Sequence, residues 1–176
     1  MKISIIRDMM VMALAAITLV QCGTINEELP SYEATSKVGV GDIAPDFTVT
    51  LLDGEEVTLS SLRGEVVAVV FFSHTCPDCK ALFDDIEAAK EEIGSRGIRL
   101  IAISRGGMMQ DIETYIEANG YTFDVACDAQ REVYDDYATM YVPRLYLVDR
   151  KGVVDMLLVE YQEDYIDMML GRVSQL

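Results

Sequence analysis

The residues best suited to chemistry are Cys76 and Cys79, in the stretch "VVAVVFFSHTCPDCKALFDDIEAAKEEI" from Val66 to Ile93. An apolar run ends just before them, and a charged segment with helical patterning follows at once. If a strand ends near Ser73 and a helix starts near Cys76 or Pro77, Cys76 sits at a helix N-terminus. Unpaired N–H groups and the positive end of the helix dipole favour an anion there. A thiolate is such an anion, so this is a natural place for a nucleophilic thiol. Cys79 follows about one helical turn later, where its sulfur can meet that of Cys76. One thiol is then activated, and the other can resolve a mixed disulfide.

Two blander readings compete. A lone Cys-x-x-Cys is also half of a zinc site. Zinc would need two more ligands, and the candidates are His74, Cys127 or acids; His74 is the sole histidine. Two inert core thiols are the other reading, but a strand-to-helix junction hides a pair poorly. The neighbours act as modulators. Protonated His74 would favour a thiolate and Asp78 would oppose it, while Pro77 suits the first helical turn, where its missing N–H costs nothing.

The elements that must position the pair follow from periodicity. "DFTVTLLDGEEVTLSSL" reads as a hairpin with Asp53-Gly54 as its turn. Val66–Phe72 and Ile98–Ser104 read as buried strands. Pro77–Arg96 reads as a helix with Leu82, Phe83, Ile86, Ala89 and Ile93 on one stripe. Met108–Asn119 predicts a second helix, Tyr121–Cys127 a third strand, and Ala129–Met140 a helix with Val133, Tyr134 and Tyr137 inward. "RLYLVDRKGVVDMLLV" reads as two strands joined at Asp149–Gly152, and Tyr161–Val173 as a closing helix. Alternating strands and helices predict an α/β fold around a mixed sheet.

The first residues read as a leader. Lys2 and Arg7 precede an apolar run, Met9 to Val20, that is short for a membrane span, which needs about 20 residues. Leu19-Val20-Gln21-Cys22 resembles a bacterial lipobox, with Gln21 standing where a small residue is usual. The expected organisation is a lipoprotein signal peptide at 1–21 with lipidation at Cys22, a flexible tether at 22–40, and a domain at 41–176. A coil of the tether's length spans roughly 20–25 Å. An ordinary signal peptide or a retained anchor are the alternatives, and each places the domain outside the cytoplasm. The chain has 176 residues and a formal net charge of -16. Such acidity argues against a nucleic-acid partner, which demands a basic footprint.

The segment "GDIAPDFTVTLLDGEEVTLSSLRGEVVAVVFFSHTCPDC" resembles the opening of membrane-anchored bacterial thioredoxin-like proteins of the TlpA/ResA type. "YVPRLYLVDRKGVV" is similar to the family segment that carries a cis-proline before the penultimate strand. The resemblance spans Gly41 to Leu176. It implies a thioredoxin fold, with a mixed central sheet flanked by helices and an N-terminal β-hairpin extension. It implies Cys76 as the attacking thiol, Cys79 as the resolving thiol, and Pro143 facing them, holding the backbone of Val142 open for a substrate chain. No cofactor and no metal are implied. The implied partners are disulfide-containing exported proteins, an upstream thiol electron donor, and the membrane through a lipid anchor.

The sequence departs from the family in places. "SHT" replaces the aromatic residue that usually precedes the motif. The positions where relatives carry a buried acid hold Val70 and Leu82, so Asp78, Asp84 or water would have to accept the Cys79 proton. Arg144 follows Pro143 where Thr is common. It would stabilise the thiolate, select an acidic partner, or point to solvent. Cys127 reads as a small buried hydrophobe, with a third redox-active thiol as the sharper alternative, and Gly106-Gly107 as a plain loop rather than an anion cradle before a helix. Tyr134, Tyr137, Tyr141 and Tyr146 read as packing residues. A thiol peroxidase shares the opening motif but needs a Pro and a Ser/Thr where Val69 and Ser73 stand. A non-enzymatic metal-binding surface lipoprotein is the third possibility.

Overall fold

The computed structural model describes residues 29–176. The expected leader at 1–21, Cys22, and residues 22–28 of the expected tether lie outside the described residues.

The apolar run Val66–Phe72 forms β3, and all seven of its residues are buried. A strand covered on both faces needs no polar alternation. It pairs in parallel with β4 (Ile98–Arg105), which pairs in parallel with β5 (Asp124–Asp128). On its other side β3 meets β6 (Arg144–Val148) antiparallel, and β6 meets β7 (Val154–Val159) antiparallel. The order β5-β4-β3-β6-β7 makes a mixed sheet, as predicted. Strands β1 (Thr48–Thr50) and β2 (Glu56–Thr58) form the expected hairpin as a separate two-stranded sheet. With the helices on its faces, the sheet has the thioredoxin-like arrangement.

The two faces of β3 meet different cores. Val66, Ala68, Val70 and Phe72 pack with Leu82, Phe83 and Ile86 of α2 (Pro77–Ser95), Ile112 of α3 (Met109–Asn119) and Met169 of α5 (Tyr165–Val173). The helical stripe foreseen for α2 is the buried one, and each large side chain on it contributes about 1.5–3 kcal/mol by leaving water. Val67, Val69 and Phe71 face Tyr134 and Tyr137 of α4 (Glu132–Tyr137), Tyr146 of β6, and the hairpin. At the β6–β7 turn, a Cβ on Gly152 would stand 2.0 Å from the Arg63 guanidinium carbon, and φ there is +86°. The backbone conformation is what calls for glycine at that turn, since the end of the Arg63 side chain can swing aside.

Two elements differ from the sequence expectation for a visible reason. Helix α4 is shorter than the expected 129–140. The Asp128 carboxylate accepts from the N–H groups of Glu132 and Tyr134, which starts the helix at Glu132. At the other end Ala138 turns extended and bridges to Ser36.

The second difference is the tether. Its described part is packed onto the domain well before Gly41. Tyr32–Thr35 forms the short helix α1, capped by the Ser31 hydroxyl. Thr35 and Val38 are buried, and the Lys37 N–H donates to the Tyr137 carbonyl at 2.9 Å. Polar composition without periodicity gave no sign of this order, because tertiary contacts supply it.

Candidate functional site

Cys76 is the N-cap of α2 and Pro77 is its first residue. The backbone of Cys76 is extended, which turns its sulfur back over the first turn, where it accepts from the Cys79 N–H at 3.4 Å. This is where the orphan donors and dipole of a helix favour negative charge. Cys76 is half-buried, and its thiol also donates to the Val142 carbonyl at 3.6 Å. Cys79 lies one turn on, at 0% exposure within the apolar cluster beneath α2. Its sulfur accepts from the Ser73 N–H at 3.5 Å, and burial pushes its thiol pKa strongly upward. The two thiols are therefore unequal: one is reachable, and the other is held protonated behind it.

The Val142–Pro143 peptide bond is cis. The structure brings Val142 to the Cys pair through the contact between its carbonyl and the Cys76 sulfur. Tyr141 just before it has φ +69°, and Glu160, whose N–H donates to the Pro143 carbonyl at 2.9 Å, has φ +59°.

His74, two residues before Cys76, lies against Gly107. A Cβ at Gly107 would stand 3.4 Å from the His74 ring, and φ at Gly107 is +99°. At that distance a Cβ would make only ordinary contact, so the left-handed backbone is what favours glycine there. Nδ1 of His74 and the hydroxyl of Tyr115 are both buried without a hydrogen-bond partner among the described residues, and their rings lie 6.4 Å apart. Cys127 is half-exposed rather than buried, with its thiol 3.7 Å from the Gly107 carbonyl.

Asp78 is exposed on the first turn of α2. Asp84 is engaged elsewhere. Hydrogen bonds from Lys80 and from the Tyr121 hydroxyl, the latter at 2.7 Å, hold its carboxyl below the usual range. Val70 and Leu82 are fully buried. Among the described residues, no group of His, Cys, Asp and Glu could hold a metal ion.

Arg144 corrects the sequence expectation. It neither faces the thiols nor points to solvent. It is 0% exposed, opposite Phe71 on the tyrosine-rich face of the sheet, away from the core that holds Cys79. Its guanidinium donates to the Met140 carbonyl, the Thr35 and Ser36 hydroxyls and the Tyr146 hydroxyl. In β6 it shares a face with Tyr146, two residues on. Its cover, α1, is a segment that carried no signal.

Sequence reasoning also missed Tyr141 as a site residue. It grouped Tyr141 with the packing tyrosines, and Tyr134, Tyr137 and Tyr146 are indeed fully buried. Tyr141 instead stands at the edge of the site, with its hydroxyl donating to the Pro30 carbonyl at 2.8 Å. Its position one residue before Val142-Pro143 was the available signal.

Comparison with known proteins agrees with this geometry. The AhpC/TSA family profile matches residues 40–156. The thiol-disulfide oxidoreductase ResA of Geobacillus kaustophilus is 30% identical over 145 residues, covering 81% of this chain and 83% of the relative. A solved Bacteroides thetaiotaomicron protein, provisionally named a protein disulfide isomerase, superposes with a TM-score of 0.74 at 30% identity, over 80% of this chain and 91% of that one. A Chlorobium tepidum protein, provisionally named the thiol:disulfide interchange protein DsbE, shares the fold with a TM-score of 0.70 at 24% identity, over 77% and 99%. The chain belongs to the AhpC/TSA family and, within it, to the thioredoxin-like thiol–disulfide oxidoreductases of the TlpA/ResA type.

Proposed function

We propose that this enzyme reduces disulfides of exported proteins through the Cys76/Cys79 dithiol, outside the cytoplasm and tethered by a lipid on Cys22. The observation that carries the reading is the inequality of the two sulfurs. Cys76 is half-buried at the α2 N-terminus, and Cys79 is sealed one turn behind it. The Cys76 thiolate attacks one sulfur of the substrate disulfide. That S–S bond breaks, its other sulfur leaves as a thiolate and takes a proton, and a mixed disulfide remains. Cys79 then loses its proton to water and attacks the Cys76 sulfur. The second substrate thiol leaves and the Cys76–Cys79 disulfide forms, so two electrons have passed to the substrate. An upstream dithiol donor reverses this change in the enzyme.

The other site residues take supporting roles. Val142 and Pro143 offer backbone beside Cys76 for an extended substrate segment. His74 and Asp78 tune the charge around the sulfur, and Pro77 starts the helix. The leader at 1–21 is removed and Cys22 becomes the first mature residue. The apolar run before Cys22 supports this reading of the N-terminus.

The test is a redox titration of the Cys76–Cys79 pair against a dithiol/disulfide buffer, read by alkylation, together with trapping in Cys79→Ser. A potential below about −230 mV, near that of thioredoxin, and an accumulating mixed disulfide on Cys76 are expected. A potential near about −120 mV would make the protein an oxidant instead. Turnover of peroxide without disulfide reduction would favour the peroxidase alternative.

A further inference from the structure

The segment Pro30–Ser36 is built onto the loop that carries Val142, and it holds that loop from both ends. On the N-terminal side, the Tyr141 hydroxyl donates to the Pro30 carbonyl at 2.8 Å. The Tyr32 ring meets the Tyr141 ring edge-on at 5.1 Å. The Tyr141 carbonyl accepts from the buried Tyr134 hydroxyl at 2.8 Å. On the C-terminal side, Arg144 donates to the Ser36 and Thr35 hydroxyls, both at 2.7 Å, and to the Met140 carbonyl at 2.9 Å. Beyond the loop, the Tyr32 hydroxyl donates to Glu160, whose own N–H donates to the Pro143 carbonyl.

A simple cover would not be built this way. Arg144 is fully buried, and its hydrogen-bond partners are all neutral. Burying a cation without a carboxylate carries a desolvation cost that an aliphatic side chain would avoid. What a planar guanidinium adds is fixed direction toward several acceptors at once. Those acceptors are the start of the loop, the strap and the sheet. Tyr141 and Glu160 hold left-handed backbone conformations, which are strained for residues other than glycine. Both are contacted by the strap, and both lie within two bonds of contact from the Val142–Pro143 pair.

We propose that the Pro30–Ser36 strap is a positioning element of the active site, fixing the Val142 carbonyl opposite Cys76 through Arg144 and Tyr141. It thereby sets the approach of a disulfide-bearing peptide to the Cys76 sulfur. This inference rests on the dithiol reading above. Thr35, Ser36, Tyr141 and Arg144 are positioning residues; none needs to touch the reacting sulfurs.

The test uses the full chain and a peptide with one intramolecular disulfide, with a small dithiol as electron source. Thr35→Val/Ser36→Ala removes the two hydroxyls that accept from Arg144, and Thr35→Ser/Ser36→Thr keeps them. The first should lose about tenfold in kcat/KM at a temperature where it is folded, and the second should recover to within about twofold of wild type. Tyr141→Phe removes one oxygen and should lose about threefold. Unchanged kcat/KM in Thr35→Val/Ser36→Ala, with only the melting temperature lowered, would overturn the proposal and leave the strap a cover. Should that variant fail to fold, Tyr141→Phe decides in the same way. A wild-type chain that does not reduce the peptide would instead sink the dithiol reading itself.

Discussion

Beneath α2 and α5 the sheet meets mainly aliphatic and phenyl side chains, with Tyr121 and Tyr165 among them, and one sealed thiol, whereas beneath α4 and the strap its largest partners are Tyr134, Tyr137, Tyr146 and a buried arginine. On the first face, stability comes from apolar area and close packing. Phe83 touches Phe72, Tyr121 and Phe123, with ring centroids 4.6–5.4 Å apart. On the second face the large residues carry polar ends, and those ends reach backbone: Tyr134 to Tyr141, Tyr137 to Pro45, and Tyr146 to Tyr137. Packing fixes distance, and hydrogen bonds also fix direction. The reactive sulfurs stand where α2, on the first face, meets a loop held from the second.

The contrast can be broken experimentally. The largest effect is chemical: Cys76→Ser should lower disulfide reduction at least about a thousandfold, while Cys79→Ser should stall with substrate bound to Cys76. An intact turnover rate in Cys76→Ser would remove the thiols from the mechanism. Next comes Phe83→Ala, which leaves a dry cavity and should cost about 4 kcal/mol in denaturant unfolding. Arg144→Met on the opposite face should cost less, about 2–3 kcal/mol, because it removes a buried charge while leaving several polar partners unsatisfied. Finding Arg144→Met neutral would mean that strap and loop hold their places without the guanidinium.

The smallest effect is a pH dependence. Burial raises the Cys79 thiol pKa far above the unfolded value of about 8.5. A raised folded pKa favours the protonated fold, so its contribution is full below about 8.5 and declines as pH rises above that. Burial likewise raises the hydroxyl pKa values of Tyr137 and Tyr146, whose unfolded reference is about 10. The reduced protein should therefore lose stability from about pH 8.5, and Cys79→Ser only from about pH 10. Coincident alkaline melting profiles of the two would contradict the sealed position of Cys79.

Where local pattern governed, the sequence was legible. The apolar run of β3, the stripe on α2 and the turn at Asp53-Gly54 all specify themselves within a few residues. So did the place of Cys76 at a helix start, because Pro77 and the end of the strand bracket it. What stayed hidden depended on partners distant in the chain. Arg144 is buried by Thr35 and Ser36, more than a hundred residues away in sequence. The described part of the tether looked like linker because its two buried residues, Thr35 and Val38, show no period. Helix α4 was overextended because the Asp128 carboxylate, rather than helix propensity, sets its start.

The described chain enters the domain beside Tyr141, a few residues from the loop that faces Cys76. Whatever lies upstream is therefore joined to the domain at its working end. A body hung from a point near its reactive atom swings that atom through a small volume, while one hung from the far end sweeps a large one. For a partner held by the same support, a smaller sweep means a higher effective concentration of the Cys76 sulfur, with no new contact required.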